Sequence, residues 1–304
     1  MLELIKHTDI DFMNLKKYAF VFSGVIVLFG LYAVFQIYAG RANLGIDLAG
    51  GTAIQVRFAQ PVAMEQLRQS LAGGGFPEAS LQAVPGENIF IIKVSAQGKE
   101  ERMVGEKVVG LLRQGFPSNP QTVESVAEIG PAIGKKLRTD ALFALFVSAA
   151  AIIIYLAWRF EFKFGVAAAL ATFHDVIMLV GIFYLLGREM DLLFITALLT
   201  IGGYSLTDTV VVFDRIRENI RLRKRSTFSE TINLSVNEVL SRTVITSLTT
   251  FLACVALLLF GGVVLQDFSL ALAIGIIIGT YSSIFVASPI VAIWRGEKMI
   301  QVKR

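Results

Sequence analysis

Residues 192–213 read LLFITALLTIGGYSLTDTVVVF, an apolar run that is long enough to cross a membrane and yet contains the carboxylate of Asp208. A transmembrane helix needs about 20 mainly apolar residues, and a charged side chain at its centre costs roughly 2.5–3.5 kcal/mol on insertion scales. Proteins keep such a group where it carries a proton, binds an ion or pairs with a cation. The basic stretch DRIRENIRLRKR (214–225) follows at once, so Asp208 lies toward the positively charged end of the run.

Five other apolar runs are of similar length, and together with 192–213 they determine the fold class. The chain of 304 residues is 55% hydrophobic and 17% charged, and its mean hydropathy is +0.66. This composition excludes a soluble globular protein and predicts a polytopic α-helical membrane protein with six transmembrane helices, helices 2–6 lying within 139–294. The other runs are 18–38, 141–158, 164–186, 244–264 and 268–290.

Charged residues between the runs predict the orientation of the chain. With the N-terminal segment 1–17 in the cytoplasm, the cytoplasmic segments hold sixteen Lys and Arg residues, against Arg188 alone in the two short outer loops. The positive-inside rule then predicts that both termini are cytoplasmic, including the tail 295–304, and that 214–242 forms a basic cytoplasmic loop. Because the basic residues cluster beside apolar runs, they do not indicate nucleic-acid binding. Run 18–38 is longer than the apolar stretch of a signal peptide, so we expect an uncleaved anchor.

The long outer segment 39–138 is predicted to form a small α+β domain. Alternating apolar residues predict strands, helical spacing predicts two helices, and Pro85-Gly86 marks a hairpin turn. The order βαββαβ predicts a periplasmic ferredoxin-like domain. It holds no His or Cys, so we expect a binding or mechanical element and not an enzyme. The pattern comprises a strand within 43–58, a helix at 61–72, strands at 80–84 and 88–94, a helix at 99–116 and a strand at 121–129.

Asp208 is the first candidate functional residue. It lies five residues before the end of its run, roughly 7–8 Å inside the membrane at 1.5 Å per residue. Tyr204 and Ser205 lie one turn earlier on the same helix face, and Gly202 and Gly203 permit close helix packing. Burial and a nearby cation act on the proton affinity of a carboxylate in opposite directions, so such a group can be poised to load and release a proton. The alternative is a structural carboxylate that is permanently paired with a cation, or one whose side chain snorkels to the membrane interface.

Arg242 is the candidate partner of Asp208, because it opens the fifth run at a similar depth. An alternative role for Arg242 is that of a positive-inside anchor, and the residues alone do not decide between the two. A stripe of hydroxyl side chains inside a span is typical of a helix contact or a water path. Here the stripe consists of Thr243, Thr246 or Ser247, and Thr250.

His174 and Asp175 interrupt the third run near its middle. Ionisable residues inside a membrane are functional candidates by default. Adjacent residues on a helix point about 100° apart, so we expect these two to have separate partners. We predict an accessory polar relay formed by His174, Asp175, Tyr204, Ser205 and Thr246. The alternative is a set of polar residues that holds the helices together.

The remaining candidates are weaker. Gly275 and Gly279 form a GxxxG pattern, which predicts a close helix contact. Cys254 is the single cysteine, so it cannot form an intramolecular disulfide, and we expect a small buried hydrophobe. With two histidines and one cysteine in the chain, we predict no metal site and no cofactor.

Several separated stretches resemble the SecD/SecF family, and they appear in the family's order along nearly the whole chain. The most specific are the glycine-rich motif with Gly45, Asp47, Gly50 and Gly51, and the stretch around Asp208. The stretches are NLGIDLAGGTAIQVRF (43–58), AEIGP (127–131), FHDVIMLVGIF (173–183), IGGYSLTDTVVVFDRIREN (201–219) and LSRTVITSLTTFLACVALLLFGG (240–262).

The resemblance is to the SecF-type members, which form one six-helix half of a proton-driven transporter of the resistance-nodulation-division class. It implies a subunit of the bacterial inner membrane that works with SecD and the SecY-SecE-SecG channel. Such a subunit uses the proton-motive force to assist late export of an unfolded polypeptide, with YajC and YidC as further partners. By motif match, Asp208 corresponds to the family's proton-responsive aspartate and Arg242 to the arginine that works with it. Thr207 departs from the Asn often found before that aspartate.

Two alternatives are open at this point. One is half of a proton-driven small-molecule exporter of the same class, although such exporters carry outer domains much larger than segment 39–138. The other is an intramembrane hydrolase that uses Ser205 or His174, although no nucleophile motif such as GxSxG surrounds the serine.

Overall fold

The computed structural model describes residues 8–95, 104–222 and 226–296, and it contains six helices that are long and apolar enough to cross a membrane. Parts of the predicted segments 1–17, 99–116 and 295–304 lie outside these ranges. The elements are α1 (Lys16–Tyr38), α2 (Ile46–Ala49), β1 (Gly51–Phe58), α3 (Met64–Gly73), β2 (Ser80–Ala83), β3 (Ile89–Ser95), α4 (Val104–Gly115), β4 (Gln121–Ile129), α5 (Pro131–Arg159), α6 (Phe162–Leu185), α7 (Leu192–Leu222), α8 (Phe228–Phe260), α9 (Gly262–Ser282), a π-helical turn (Ser283–Ala287) and α10 (Ser288–Arg295).

Residues 51–129 form the sheet domain, in which the predicted βαββαβ order is confirmed. Its four strands are antiparallel in the order β2-β3-β1-β4. Alternate residues of β1 and β3 point to one face and pack against the apolar sides of α3 and α4. This core is fully buried at its centre, where it includes Ile54, Val56, Leu67, Ile92 and Val108.

The membrane bundle is built around α6, α7 and the last helix. About half or more of their apolar windows is buried (56%, 50% and 61%), compared with 22% or less for α1, α5 and α8. Glycine residues allow two pairs of helices to cross closely, α6 with α1 and α9 with α7. A Cβ on Gly181 of α6 would lie 2.8 Å from Gly30 Cα of α1. A Cβ on Gly279 of α9 would lie 2.9 Å from Ser205 Cβ of α7, so the predicted GxxxG contact forms here.

Several predicted boundaries are wrong because hydropathy detects only the apolar part of a helix. Most of the predicted loop 214–242 is helical, since α7 continues to Leu222 and α8 starts at Phe228, and residues 223–225 lie outside the described ranges. Thr227 and Glu230 cap the N-terminus of α8 by forming a capping box. The two polar extensions pair through Arg215 and Glu238, whose Nε and Oε2 atoms lie 2.7 Å apart. Likewise α5 starts at Pro131, inside the predicted segment 39–138.

The N-terminal segment before α1 is attached to the polar extension of α8. The backbone N–H of Met13 donates to Asn233 Oδ1 at 2.9 Å. Asn237 Oδ1 accepts from the Ile10 N–H at 3.1 Å, and Asn237 Nδ2 donates to the Ile10 carbonyl at 2.9 Å. These asparagines satisfy a backbone that has no secondary structure of its own, a role that the sequence did not suggest.

Candidate functional site

Asp208 lies inside the bundle on α7, and its side chain is 6% exposed. Ser247 of α8 donates a hydrogen bond from Oγ to Asp208 Oδ2 at 3.2 Å. Ser247 itself is contacted by Thr280 of α9, whose Oγ1 lies 2.7 Å from Ser247 Oγ. A hydroxyl chain therefore leads from the carboxylate across α8 to α9.

Arg242 makes no ion pair with Asp208 within the described structure. It lies on the exposed side of α8, about four turns into the helix because α8 begins at Phe228. It is still close enough for its charge to act on the carboxylate of Asp208. The two residues therefore make no direct contact in the described structure, and their functional pairing stays a prediction.

Asp175 is fully buried, and three side chains surround it. Its Oδ1 lies 2.9 Å from His174 Nδ1. Its Oδ2 accepts a very short hydrogen bond from Ser205 of α7 and another from Ser282 of α9 at 2.8 Å. Asp175 thus ties α6, α7 and α9 together in the middle of the membrane.

The prediction that His174 and Asp175 need separate partners is wrong. Their Cβ atoms diverge around the helix, but the imidazole is long enough for Nδ1 to turn back to the neighbouring carboxylate. His174 Nε2 is buried and has no hydrogen-bond partner among the described residues. Helix geometry gave the directions in which the two side chains leave the backbone, but it did not show that the His174 ring is long enough to contact Asp175.

The predicted polar relay does not form a single network. Ser205 joins Asp175, although its position one turn before Asp208 suggested the latter. Tyr204 forms a separate contact, donating to the Thr246 carbonyl at 3.2 Å, with Thr250 Oγ1 at 3.3 Å. The hydroxyl of Thr246 is bonded to its own helix, at 3.0 Å from the Arg242 and Thr243 carbonyls.

The hydrolase alternative requires a serine that contacts a histidine. Ser205 instead donates to Asp175, on the opposite carboxylate oxygen from the one that faces His174. Since the carboxylate separates the two, Ser205 and His174 make no direct serine–histidine pair among the described residues. Among the described residues no group of three His, Cys, Asp or Glu side chains is placed to hold a metal ion. The predicted lack of a cofactor stays a prediction.

Thr280 and Ser282 are the site residues that sequence reasoning missed. The segment GTYSSIFVAS (279–288) places hydroxyl side chains inside an apolar run, which was the available signal. The π-helical turn Ser283–Ala287 follows directly and precedes Pro289, which lacks a backbone N–H. Such π-turns occur often at functional sites.

The predicted packing glycines differ in role. A Cβ on Gly275 would lie 2.5 Å from Ile201 Cγ1, so this glycine and Gly279 bring α9 against α7. A Cβ on Gly202 would meet Ile152 and Thr172 at an ordinary 3.8 Å. Gly203 has no described neighbour within 4 Å of such a Cβ, so it brings no two of the described helices together.

The glycine-rich motif forms the joint between the sheet domain and the bundle. The Gly45 N–H donates to the Met190 carbonyl at 2.9 Å, which connects the motif to the short α6–α7 loop. Gly50 has φ of 80°, where L side chains are strained, and its amide lies 2.7 Å from the position of a Cβ on Gly134 of α5. Asp47 is half-buried in α2 and faces the charged groups of the same loop.

An ion pair also fastens the sheet domain to the α6–α7 loop. Lys93 of β3 lies 2.9 Å from Glu189 through Nζ and Oε2, and the glutamate side chain is only 6% exposed. Burial raises the pKa of the Glu189 carboxyl above its ordinary value, and the ammonium of Lys93 opposes this shift. The sheet domain is thereby attached next to the start of α7, the helix that carries Asp208.

Comparison with known proteins gives this architecture a family. Residues 112–297 match the family described as protein export membrane protein SecD/SecF, C-terminal, and residues 42–62 match the SecD/SecF GG motif. The chain is 48% identical over 303 residues to the protein translocase subunit SecF of Thermodesulfovibrio yellowstonii, with 99% of this chain and 100% of that protein covered. It is 41% identical over 298 residues to the protein translocase subunit SecDF of Thermus thermophilus.

The solved structures agree. The crystal structure of SecDF, a translocon-associated membrane protein from Thermus thermophilus, matches with a TM-score of 0.79 at 40% identity, covering 95% of this chain and 39% of SecDF. Since one relative carries SecD and SecF in a single chain, a SecD partner is implied for this one. On family match, identity and fold together, this chain belongs to the SecD/SecF family of protein export membrane proteins.

Proposed function

We propose that this chain is the SecF-type half of a SecD–SecF complex, and that it uses the proton-motive force to assist late steps of protein export. The observation that carries the proposal is Asp208, a carboxylate held inside a membrane bundle by a single described hydrogen bond, from Ser247. A group with so few partners can gain or lose a proton without breaking up its surroundings. The energy source is adequate, because each charge that crosses about 100 mV yields about 2.3 kcal/mol.

The proposed mechanism has three steps. A proton from the outer side reaches Asp208 and neutralises it. The attraction between Asp208 and Arg242 then weakens, and α7 and α8 shift relative to each other. The shift passes through the short α6–α7 loop to the sheet domain, because Glu189 in that loop binds Lys93 of β3. The sheet domain then holds or releases the exported polypeptide.

The proposed location is the bacterial inner membrane, with both termini cytoplasmic and the sheet domain outside. Among the described residues, Arg215, Arg217 and Arg221 of α7 support this orientation, because they lie at the end opposite to the sheet domain. The positive-inside rule places that end in the cytoplasm.

The face formed by α7 and α8 is proposed to contact SecD. Exposed polar and small residues form a stripe there within the membrane spans, and their hydroxyls are bonded only to their own helices. An arginine facing lipid in such a position is costly, so a protein surface is the expected neighbour. The stripe consists of Thr196, Thr200, Gly203, Thr207, Arg242 and Thr246.

Further partners follow from the family and are part of the proposal. They are the SecY-SecE-SecG channel, YajC and YidC, and the unfolded exported polypeptide, which the sheet domain would contact. We propose a transport role without catalytic chemistry of its own, with the proton as coupling ion.

The test replaces Asp208 by Asn, which keeps the size and removes the charge. Export of a secreted precursor is followed by pulse-chase in cells that lack the native protein, with equal membrane levels checked by blot. We expect export to fall at least about tenfold, the effect of roughly 1.4 kcal/mol. The matched control is Asp140→Asn, an exposed carboxylate of α5, which should export normally. Normal export by Asp208→Asn would refute the proposal.

The proton link needs a measurement of its own. The chain is reconstituted with SecD in vesicles that contain a pH-sensitive dye, and proton flux is recorded under an imposed gradient. Flux that is lost in Asp208→Asn and kept in Asp140→Asn supports coupling by protons. Flux that follows a sodium gradient instead would replace the proton by sodium as coupling ion.

A further inference from the structure

The hydroxyl chain behind Asp208 ends on a residue with two acceptors. Thr280 Oγ1 lies 2.7 Å from Ser247 Oγ and 2.9 Å from the carbonyl oxygen of Ile276. A threonine hydroxyl carries one proton, so it donates to one of these oxygens at a time. Ser247, between Thr280 and the carboxylate, likewise has one proton and accepts on its lone pairs.

These contacts allow the hydrogen bonds of the hydroxyl chain to point in either of two directions. When Asp208 is ionised it can only accept, so Ser247 donates to it and Thr280 donates to Ser247. When Asp208 is protonated it can donate to Ser247. Ser247 then donates to Thr280, and Thr280 turns its proton to the Ile276 carbonyl. Each hydroxyl keeps an acceptor in both states, which avoids an unsatisfied buried polar group.

We propose that Thr280 is a positioning residue for proton coupling, because it ends a reversible hydroxyl chain that serves both protonation states of Asp208. The proposal rests on the role of Asp208 proposed above and extends the site to α9. Thr280 does not touch the transferred proton; it acts through Ser247. Its hydroxyl is therefore required, whereas its methyl group is not.

The packing of α9 explains why Thr280 reaches this position. Gly279 allows α9 to approach α7 at Ser205, and the π-helical turn begins three residues after Thr280. Ser283 Oγ donates to the Thr280 carbonyl at 3.0 Å, which supports the backbone at this point.

The charged and titratable groups around Asp208 also enter the expected pH dependence. Arg242 acts on it from α8. From α6, Asp175 and its neighbour His174 are connected to α7 through Ser205, one turn from Asp208. A variant at Thr280 leaves all of these groups in place, so a change in the pH profile would come from the hydroxyl chain.

The experiment compares three variants in the complex with SecD. Thr280→Val removes the hydroxyl at nearly constant volume, and Thr280→Ser restores it. Thr172→Val is the matched control, because Thr172 also lies within a membrane span, although it is more buried than Thr280, and its hydroxyl donates only to the Ala168 carbonyl, at 3.1 Å. Export rate is measured across a pH series in reconstituted vesicles, with Asp208→Asn in parallel.

We expect Thr280→Val to slow export about fivefold, the effect of losing one net hydrogen bond, and to move the midpoint of the pH profile by roughly half a unit or more. Thr280→Ser and Thr172→Val should retain the native midpoint. If Thr280→Val does not accumulate in the membrane, Thr280→Ala replaces it.

An unchanged midpoint in Thr280→Val overturns the proposal even when the rate falls, because a packing defect lowers the rate without moving the profile. A midpoint that stays shifted in Thr280→Ser also overturns it. If Asp208→Asn exports normally, the proposed function itself fails. If Asp208→Asn is inactive and Thr280→Val behaves as native, the role of Thr280 alone fails.

Discussion

Asp175 and Asp208 are two carboxylates buried in the same membrane bundle, yet the protein surrounds them differently. Asp175 accepts hydrogen bonds from three side chains, which come from its own helix, α7 and α9. Asp208 accepts one hydrogen bond from the described protein, from Ser247 at 3.2 Å. A carboxylate that accepts hydrogen bonds from several helices holds those helices together. A carboxylate with few hydrogen-bond partners can change its protonation state. Burial alone therefore does not distinguish a structural carboxylate from a proton carrier.

The largest effect should come from breaking the Asp175 cluster. Asp175→Ala leaves the Ser205 hydroxyl and His174 Nδ1 without their hydrogen-bond partner in the bundle core, whereas Ser282 keeps the Gly279 carbonyl as an acceptor. We expect a loss of roughly 3–5 kcal/mol in the free energy of unfolding, since each orphaned buried group costs about 1–3 kcal/mol. The measurement is unfolding in detergent by denaturant titration. If the variant does not accumulate, Ser282→Ala gives the milder test, and native stability in both would contradict a structural role.

A second effect should follow from adding a side chain at Gly279, the position where α9 packs closely against α7 near both carboxylates. A Cβ added in Gly279→Ala would lie 2.9 Å from Ser205 Cβ, so we expect a loss of about 1–3 kcal/mol in the free energy of unfolding from overpacking. Gly203→Ala is the control, because a Cβ there meets no described atom within 4 Å. The same unfolding assay on the isolated chain tests both. Equal stabilities of the two variants would show that the α7–α9 approach is not tight.

Asp208→Asn should be much milder for stability than Asp175→Ala. One hydrogen bond at 3.2 Å is affected, and Asn can still accept from Ser247, so we expect a change below about 1 kcal/mol in the free energy of unfolding. If Asp208→Asn loses export while its unfolding midpoint stays near native, Asp208 differs from Asp175 in serving function and not stability. A destabilisation as large as that of Asp175→Ala would make Asp208 a structural residue as well.

The smallest effect concerns a third buried carboxylate, Glu189, which differs from the other two by lying outside the membrane spans in a direct ion pair with Lys93. Because burial raises its pKa, the folded protein binds more protons than the unfolded chain above the ordinary glutamate pKa. Its contribution to stability is therefore fully present below that pKa and is lost as the pH rises through the raised value. We expect thermal unfolding midpoints to fall with pH over this interval, and Glu189→Gln to flatten the slope.

The control for this pH dependence is Arg57→Gln, which removes an exposed ion pair with Glu124 on the sheet domain. That variant should keep the native slope. Burial also raises the pKa of the neighbouring Asp191, so part of the slope should remain in Glu189→Gln. A slope identical to native in Glu189→Gln would show that this carboxyl does not titrate differently in the folded protein.

Sequence reasoning predicted the fold well because the fold depends on regular patterns. Six apolar runs correspond to six helices, and period-two alternation predicted the strands of the sheet domain. The ends of the helices were missed where polar residues continue them, as in the extensions paired through Arg215 and Glu238. There the stability comes from side-chain pairs between two helices, which the hydropathy of a single segment does not contain.

The sequence by itself determined the six membrane helices, the βαββαβ domain and the candidate carboxylates, because apolar runs, alternation and a charged residue in an apolar run are visible in one dimension. Only the tertiary structure decided the partners. Ser282 reaches Asp175 across 107 positions of the chain, and Ser205 turns to Asp175 although Asp208 is its neighbour by spacing. The reason is physical: hydrogen-bond partners depend on where helices cross, and close contacts such as the one at Gly279 set those crossings.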